Sequence, residues 1–167
     1  GQVLTIGDLI DRMNIDHVAI GTSANEQFVF GKGNDVVDAG AGDDLINAGG
    51  GNDSMVGGSG DDNLVGGEGD DVYVFNRGDG HDRITQRGAM ASDLDVVRFG
   101  GGITRDDVAL TRDIDGIHLT VSAGGGVVTI ADQIGDWPLP TVEFADSSRL
   151  ESSVLAAIPM DFYSGPD

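Results

Sequence analysis

The chain contains no cysteine, which excludes disulfide staples, zinc–thiolate sites and cysteine nucleophiles. Basic residues are scarce: 9 Lys+Arg stand against 29 Asp+Glu, for a formal net charge of −20. Nucleic acid and anionic membrane surfaces both require a basic footprint, so neither is an expected partner. The excess of carboxylates points to cations instead. Aromatics are few (Phe 6, Tyr 2, Trp 1), too few for an ordinary globular core. No run of about 18 apolar residues occurs, so no transmembrane segment is expected. No basic-then-apolar leader follows Gly1, and we expect a piece of a longer chain. The 167 residues leave room for one domain or two small ones.

Glycine, by contrast, is abundant, with 28 residues, and it is periodic. Read in nines from residue 21, the chain gives GTSANEQFV, FGKGNDVVD, AGAGDDLIN, AGGGNDSMV, GGSGDDNLV and GGEGDDVYV. After two inserted residues, Phe75 and Asn76, comes RGDGHDRIT at 77–85. Position four is Gly in every block but the first. Position six is Asp35, Asp44, Asp53, Asp62, Asp71 and Asp82, with Glu26 in the first block. Position eight is always apolar: Phe28, Val37, Ile46, Met55, Leu64, Tyr73 and Ile84.

Fixed-period self-similarity is the signature of a repeat architecture. Positions one to six are Gly-rich and polar, as suits a turn with positive φ at some glycines. Positions seven to nine form a three-residue strand whose middle side chain points inward, because side chains alternate across a strand. One turn and one strand make half a coil, so each block stacks on the block eighteen residues on. Asp35, Asp53 and Asp71 then share one column, while Asp44, Asp62 and Asp82 share the other, headed by Glu26. Like charges in register repel, so the arrangement calls for cations between turns. Carboxylates and main-chain carbonyls form a hard, all-oxygen set, which favours Ca²⁺ over zinc or copper and over the more tightly hydrated Mg²⁺. Residues 21–85 hold 16 Gly, 13 acidic and 3 basic residues. Ordering so much glycine is entropically costly, and seven inward side chains offset only part of it. The metal-free roll is expected to come apart.

The blocks resemble the GGxGxDxUx nonapeptide of the repeat-in-toxin (RTX), or haemolysin-type, calcium-binding family. The resemblance implies an all-β fold, a right-handed parallel β-roll with Ca²⁺ between stacked turns, in secreted proteins that use a type I secretion apparatus. It also implies a ligand pattern: carbonyls of positions two and four with the position-six carboxylate of one turn, and carbonyls of positions one and three with the carboxylate of the turn eighteen residues on. Carried over, the first site is Gly31, Gly33 and Asp35 with Ala48, Gly50 and Asp53. The second is Gly40, Gly42 and Asp44 with Gly57, Ser59 and Asp62. The third is Gly49, Gly51 and Asp53 with Gly66, Glu68 and Asp71. A fourth joins Gly58, Gly60 and Asp62 to Arg77, Asp79 and Asp82, across an insertion that could misalign it. A fifth, Thr22, Ala24 and Glu26 with Ala39, Ala41 and Asp44, lacks the glycines and the Asp. Three to five Ca²⁺ ions in two rows are therefore expected. YVFNRGDGHDRI, DLDVVRFGGGITRDDVALTRD and TVEFAD also resemble the segment downstream of haemolysin repeats. IGDWPLP stands where family members often carry an Asn-Trp-Phe-like patch.

The flanks read as caps, which open-ended repeat stacks require. Ile6, Leu9, Ile10 and Met13 have helical spacing behind a Thr5/Asp8 capping box. Residues 95–99, 108–112, 117–121, 127–130 and 141–144 read as short strands of an antiparallel β cap, with turns at Asp115-Gly116 and Gly124–Gly126. Ser148 and Glu151 suggest a second capping box before a terminal helix bearing Leu150, Val154, Leu155 and Ile158. The expected division is an N-terminal capping helix at 1–20, the roll at 21–85, a β-rich cap with a terminal helix at 86–159, and a tail or linker at 160–167.

Other features have plainer readings. Arg77-Gly78-Asp79 spells a cell-attachment tripeptide but falls in register as a turn. Asp113-Ile114-Asp115-Gly116 lacks the rest of an EF-hand and reads as a hairpin. The pairs Asp43-Asp44, Asp61-Asp62 and Asp70-Asp71 read as one ligand plus one solvated residue, not as catalytic dyads. His17, His81 and His118 lie in no HExxH, Trp137 reads as a packing residue, and no nucleophile with a base stands out, so no enzyme is expected. The leading expectation is a monomeric, Ca²⁺-dependent folding module of a larger secreted or cell-surface bacterial protein. The alternative is an accessory adhesin or carbohydrate-binding module attached to an absent catalytic domain.

Overall fold

The structure is a computed structural model and describes residues 15–86, 90, 92–131 and 138–160. Short strands follow one another at the repeat spacing: β1 (Val18–Ile20), β2 (Gln27–Val29), β3 (Val36–Asp38), β4 (Leu45–Gly50), β5 (Ser54–Val56), β6 (Asn63–Glu68), β7 (Val72–Phe75) and β8 (His81–Ile84). Then come β9 (Val96–Phe99), β10 (Val108–Asp113), β11 (Gly116–Val121), β12 (Gly126–Ala131), β13 (Thr141–Glu143), β14 (Arg149–Leu150) and a short helix α1 (Ser152–Ala156). They form two sheets of seven strands, in the orders β1-β3-β5-β7-β9-β13-β14 and β10-β11-β12-β8-β6-β4-β2. Odd and even repeat strands therefore go to opposite sheets, as half-coils must.

The pairing is parallel and in the expected register. Val18 lies beside Val36, Val36 beside Ser54 and Ser54 beside Val72; in the other sheet Gln27 lies beside Leu45 and Leu45 beside Asn63. Each step is eighteen residues. Val37, Ile46, Met55, Leu64, Tyr73 and Ile84, all position eight, are buried between the sheets. Positions seven and nine of β3 face outward. The β-roll and the antiparallel cap are both present.

The sheets run past both ends of residues 21–85. At the N-terminal end β1 adds a strand within residues 1–20. The expected helix over 5–13 with its Thr5/Asp8 box lies outside the described residues, as do Trp137 and the end of the tail. At the C-terminal end, two of the five expected cap strands are not antiparallel additions. β9 and β13 instead continue the first sheet in parallel, Val72 beside Val96 and Val96 beside Thr141. The reason is local: Asp95-Val96-Val97 repeats the Asp35-Val36-Val37 of the roll, and the parallel pairing with β7 is kept across the longer connection. The antiparallel parts are the β10-β11-β12 meander, with Leu110 beside Leu119 and Leu119 beside Val128, and the short β13-β14 pair. The meander's last strand docks parallel on β8, so roll and cap share one sheet.

The terminal helix is shorter than expected. Glu151 is its N-cap residue, whereas the Ser148 hydroxyl donates to Asp146 Oδ1 at 2.6 Å within a turn. Leu150 is drawn into β14 opposite Val142, leaving Leu155 as the buried residue of the helix.

Candidate metal centre

Strand register places the position-six carboxylates in two columns, and the main chain locks them there. The N–H of Asp35 donates to Asp53 Oδ1 at 2.7 Å, and that of Asp53 to Asp71 Oδ1 at 2.9 Å. In the other column Glu26 N–H donates to Asp44, Asp44 N–H to Asp62 and Asp62 N–H to Asp82, at 2.7, 2.8 and 3.1 Å. Each carboxylate thus reaches back under the preceding turn of its own column. All six Asp residues are buried.

The turns are stitched by alternating main-chain bonds. In the first expected site Gly50 N–H donates to the Gly31 carbonyl and Gly33 N–H to the Gly50 carbonyl, both at 2.8 Å. In the second, Ser59 N–H donates to Gly40 at 3.0 Å and Gly42 N–H to Ser59 at 2.8 Å. In the third, Gly51 N–H donates to Glu68 at 2.8 Å, and Gly49 lies beside Gly67. Glycine is required here for two reasons. Gly51 and Gly58 have φ of +127° and +101°, a region that L side chains avoid. A Cβ at either would also stand 2.0 Å from the Gly33 carbonyl oxygen or 1.9 Å from that of Gly40. The glycine turns stack as closely as bare backbone allows. At position one a Cβ on Gly57 would stand 2.3 Å from Asp62 Oδ2, and one on Gly66 2.0 Å from Asp71 Oδ2.

The second oxygen of each carboxylate is the unusual feature. The Oδ2 atoms of Asp35, Asp44, Asp53, Asp62, Asp71 and Asp95 are buried and have no hydrogen-bond partner. A buried ionised carboxylate oxygen without a partner is strongly unfavourable. Burial accordingly pushes Asp53 up to about 6 and both Asp71 and Asp82 up to about 8, and carboxylates of adjacent turns add to the effect. Burial likewise raises Asp62 and Asp95. The columns demand neutralisation, by protons or by cations. Among the described residues no three carboxylate or imidazole side chains converge on one point, so a cation here would complete its coordination from main-chain carbonyls. Each carbonyl has a second lone pair for that purpose. This donor set fits a hard divalent ion.

In the fourth expected set the insertion leaves the strand pairing in place. β6 and β8 stay paired, Asn63 beside Arg83, and Gly60 N–H still donates to the Asp79 carbonyl at 2.7 Å. Phe75 is absorbed by lengthening β7. At position two, however, a Cβ on Gly78 would have no atom within 4 Å, so the close turn-on-turn approach is lost there. Arg77 turns away, pairing with Asp107 Oδ2 at 3.1 Å and donating to the Ser122 carbonyl. In the fifth, Ala41 N–H donates to the Thr22 carbonyl at 2.9 Å, but the Glu26 carboxylate folds back onto the Thr22 N–H at 2.6 Å.

Three elements of the site were not foreseen. Asp95 extends the first column, accepting from Asp71 N–H at 3.0 Å; the recurring Asp-Val-Val was the signal. His17 heads that column, its ring Nδ1 lying 2.8 Å from Asp35 Oδ1. Position five, read as merely solvated, builds an outer ladder of opposite sense. Side chains of Asn25, Asn34, Asp43, Asn52 and Asp61 accept from the N–H of residues 43, 52, 61, 70 and 81. Asn or Asp at position five in six consecutive blocks was the available sign.

A scan against family models matches the RTX calcium-binding nonapeptide repeat, in four copies, over residues 20–55 and 48–84. A search of curated proteins finds no match to the chain.

Proposed function

We propose that residues 20–84, being RTX calcium-binding nonapeptide repeats, make this chain a calcium-folded module of a larger secreted protein. The observation that carries the reading is the file of buried, unpartnered Oδ2 atoms in both columns. Bound calcium supplies the positive charge those oxygens need. The rest is the work of the chain. Main-chain N–H groups hold one oxygen of Asp35, Asp44, Asp53, Asp62 and Asp71 and leave the other free. Position-two and position-four glycines let successive turns approach until a Cβ would strike the carbonyl of the preceding turn.

The ligand sets proposed are the register pairs: Gly31, Gly33 and Asp35 with Ala48, Gly50 and Asp53; the set of Asp44 with Asp62; and the set of Asp53 with Asp71. The sets of Asp62 with Asp82 and of Glu26 with Asp44 are weaker, because one has lost a glycine approach and the other binds its own turn. In a calcium-poor compartment the repeats would remain unfolded, as threading through a type I secretion apparatus requires, and would fold outside. We assign the module no catalytic role.

Circular dichroism during a calcium titration tests this. Extracellular-type sites have dissociation constants of roughly 10⁻⁴–10⁻³ M, so at pH 7.5 the signal of the roll's strands should be absent in excess chelator and complete at several millimolar calcium. A spectrum at pH 7.5 that is the same in chelator as in saturating calcium would refute the switch.

A further inference from the structure

The first carboxylate column does not stop where the family match stops, and its last member is unexplained by the repeats. Asp95 lies twenty-four residues beyond Asp71, yet occupies the position-six place of the next coil: Val96 pairs with Val72, and Val97 is buried at position eight. Asp71 and Asp95 repeat the inter-turn bond of the upstream pairs. The Oδ2 atoms of both are enclosed and make no hydrogen bond, although the buried Gln86 side chain lies close enough to Asp95 to favour its charge.

Asp93 makes this coil different from those above it. In the upstream coils the position-four N–H donates to a position-three carbonyl, as Gly51 does to Glu68 and Gly60 to Asp79. Here Gly69 N–H donates to the side chain of Asp93, Oδ2, at 3.2 Å. A buried carboxylate has replaced a neutral carbonyl at the seam of the turn. The outer ladder continues as well, with Leu94 N–H donating to Asp70 Oδ1 at 2.8 Å.

We propose that a divalent cation, calcium by the all-oxygen chemistry of the donors, binds between the turn Gly67–Asp71 and the segment Asp93–Asp95, outside the nonapeptide repeats. Asp71 and Asp95 are its carboxylate ligands, and carbonyls of Gly67 and Gly69 complete the set. Asp93 is a positioning residue that holds the Gly69 turn and adds local negative charge. The site joins the roll to the segment that covers it, so binding there couples cap docking to calcium. The inference rests on the calcium reading of the repeats, which supplies the identity of the ion.

Native mass spectrometry of the full chain in calcium chloride provides the test. Asp95→Asn keeps an acceptor for the Asp71 N–H and nearly the same volume, but removes the free oxygen. At saturating calcium the variant should bind one calcium ion fewer than the parent chain. An equal ion count would overturn the proposal. A crystal of the parent chain grown in calcium chloride gives a second readout that needs no variant: an anomalous peak between Asp71 and Asp95 is expected, and its absence overturns the proposal. If the parent chain binds no calcium at all, the reading of the repeats fails too; if only the Asp95 count is unchanged, that reading stands.

Discussion

The roll and the segment that covers it share two sheets but are held together by different physics. In the roll one inward side chain per block forms a thin apolar file, and the flanking columns bury carboxylates whose second oxygens lack partners. Beyond Val96 the balance reverses. Phe99 stacks on Phe144 at 5.7 Å and lies 6.3 Å from Phe75; Ile103, Leu119, Ile130, Val142 and Leu155 are buried with them. The described charged groups there are exposed or half-buried, with ordinary pairs such as Arg98 with Glu143 at 2.9 Å and His118 with Asp113 at 2.8 Å. The cover has the composition of a conventional core, whereas the roll, on the calcium reading proposed above, has that of a ligand-dependent one. One half should fold by burying surface and the other by binding ions, and the junction must communicate between them.

Removing residues 87–167 is the harshest way to break that pairing. It strips β9 from β7 and β12 from β8, exposing Tyr73, Phe75 and Ile84. Repeat stacks require capped ends, and losing cover over a buried aromatic or aliphatic side chain costs about 1.5–3 kcal/mol each. The truncated chain should need much more calcium to fold, or fail to fold. A fragment that folds at the parent's calcium midpoint would show that the cover is merely adjacent.

How far the sequence carried the structure also differs between the two halves. In the roll a nine-residue period dictates register, so columns, burial and turn glycines follow from spacing alone; Asp53 and Val37 could be placed without coordinates. The cover has no period. Strand positions were legible from alternation and the Asp115-Gly116 turn, but not which strands would pair in parallel, because that depends on a roll edge offering hydrogen bonds to Val96 and Thr141. Asp95 was hidden for the same reason: the chain from 86 to 92 breaks the count of nine. The helix boundary slipped because Leu150 pairs across to Val142, a tertiary contact that overrides its helical spacing.

Glycine substitution sharpens the contrast. Gly58 and Gly124 both have positive φ, +101° and +76°, so alanine strains either backbone by about 1–2 kcal/mol. Only Gly58 also faces another turn, with the Gly40 carbonyl oxygen 1.9 Å from the new Cβ. Gly124 has nothing within 4 Å. Gly58→Ala should therefore destabilise the calcium-loaded protein by clearly more than about 2 kcal/mol, and Gly124→Ala by no more than the strain. Thermal melts in saturating calcium would decide it; equal losses would mean that turn stacking is not the constraint.

Within the roll, Asp53 lies between Asp35 and Asp71 and would serve two sites, whereas Asp35 has a carboxylate on one side and His17 on the other. A hydrogen bond or contact to a charged group contributes about 1.5–3 kcal/mol, and 1.4 kcal/mol is about tenfold in affinity. Asp35→Ala should raise the calcium midpoint by about tenfold, and Asp53→Ala by substantially more. Equal shifts would refute the ligand register while leaving calcium dependence intact.

The smallest effect expected is that of pH without metal, and its sign separates the two halves. Asp53 at about 6, and Asp71 and Asp82 at about 8, lie above the ordinary carboxylate value near 4 because burial disfavours their charge. The folded roll therefore holds more protons than the unfolded chain between about pH 4 and 8. Stability falls as pH rises wherever the folded state binds more protons. This contribution is thus complete below about pH 4 and lost by about pH 8. In chelator, lowering the pH from 7.5 to 5 should return part of the strand signal, while keeping above the pI near 4.1 limits aggregation. Calcium reverses the dependence, because protons compete for the same oxygens, so the calcium midpoint should rise over the same drop. The cover's surface carboxylates behave oppositely: the His118 ring holds Asp113 below the usual range, and the Thr104 N–H and hydroxyl, with Arg77, hold Asp107 there as well. Two measurements at pH 5 and 7.5, a chelated spectrum and a calcium titration, give both signs. A chelated protein with less strand signal at pH 5 than at 7.5 would mean that the columns do not carry the buried, repelling carboxylates on which the contrast between the two halves depends.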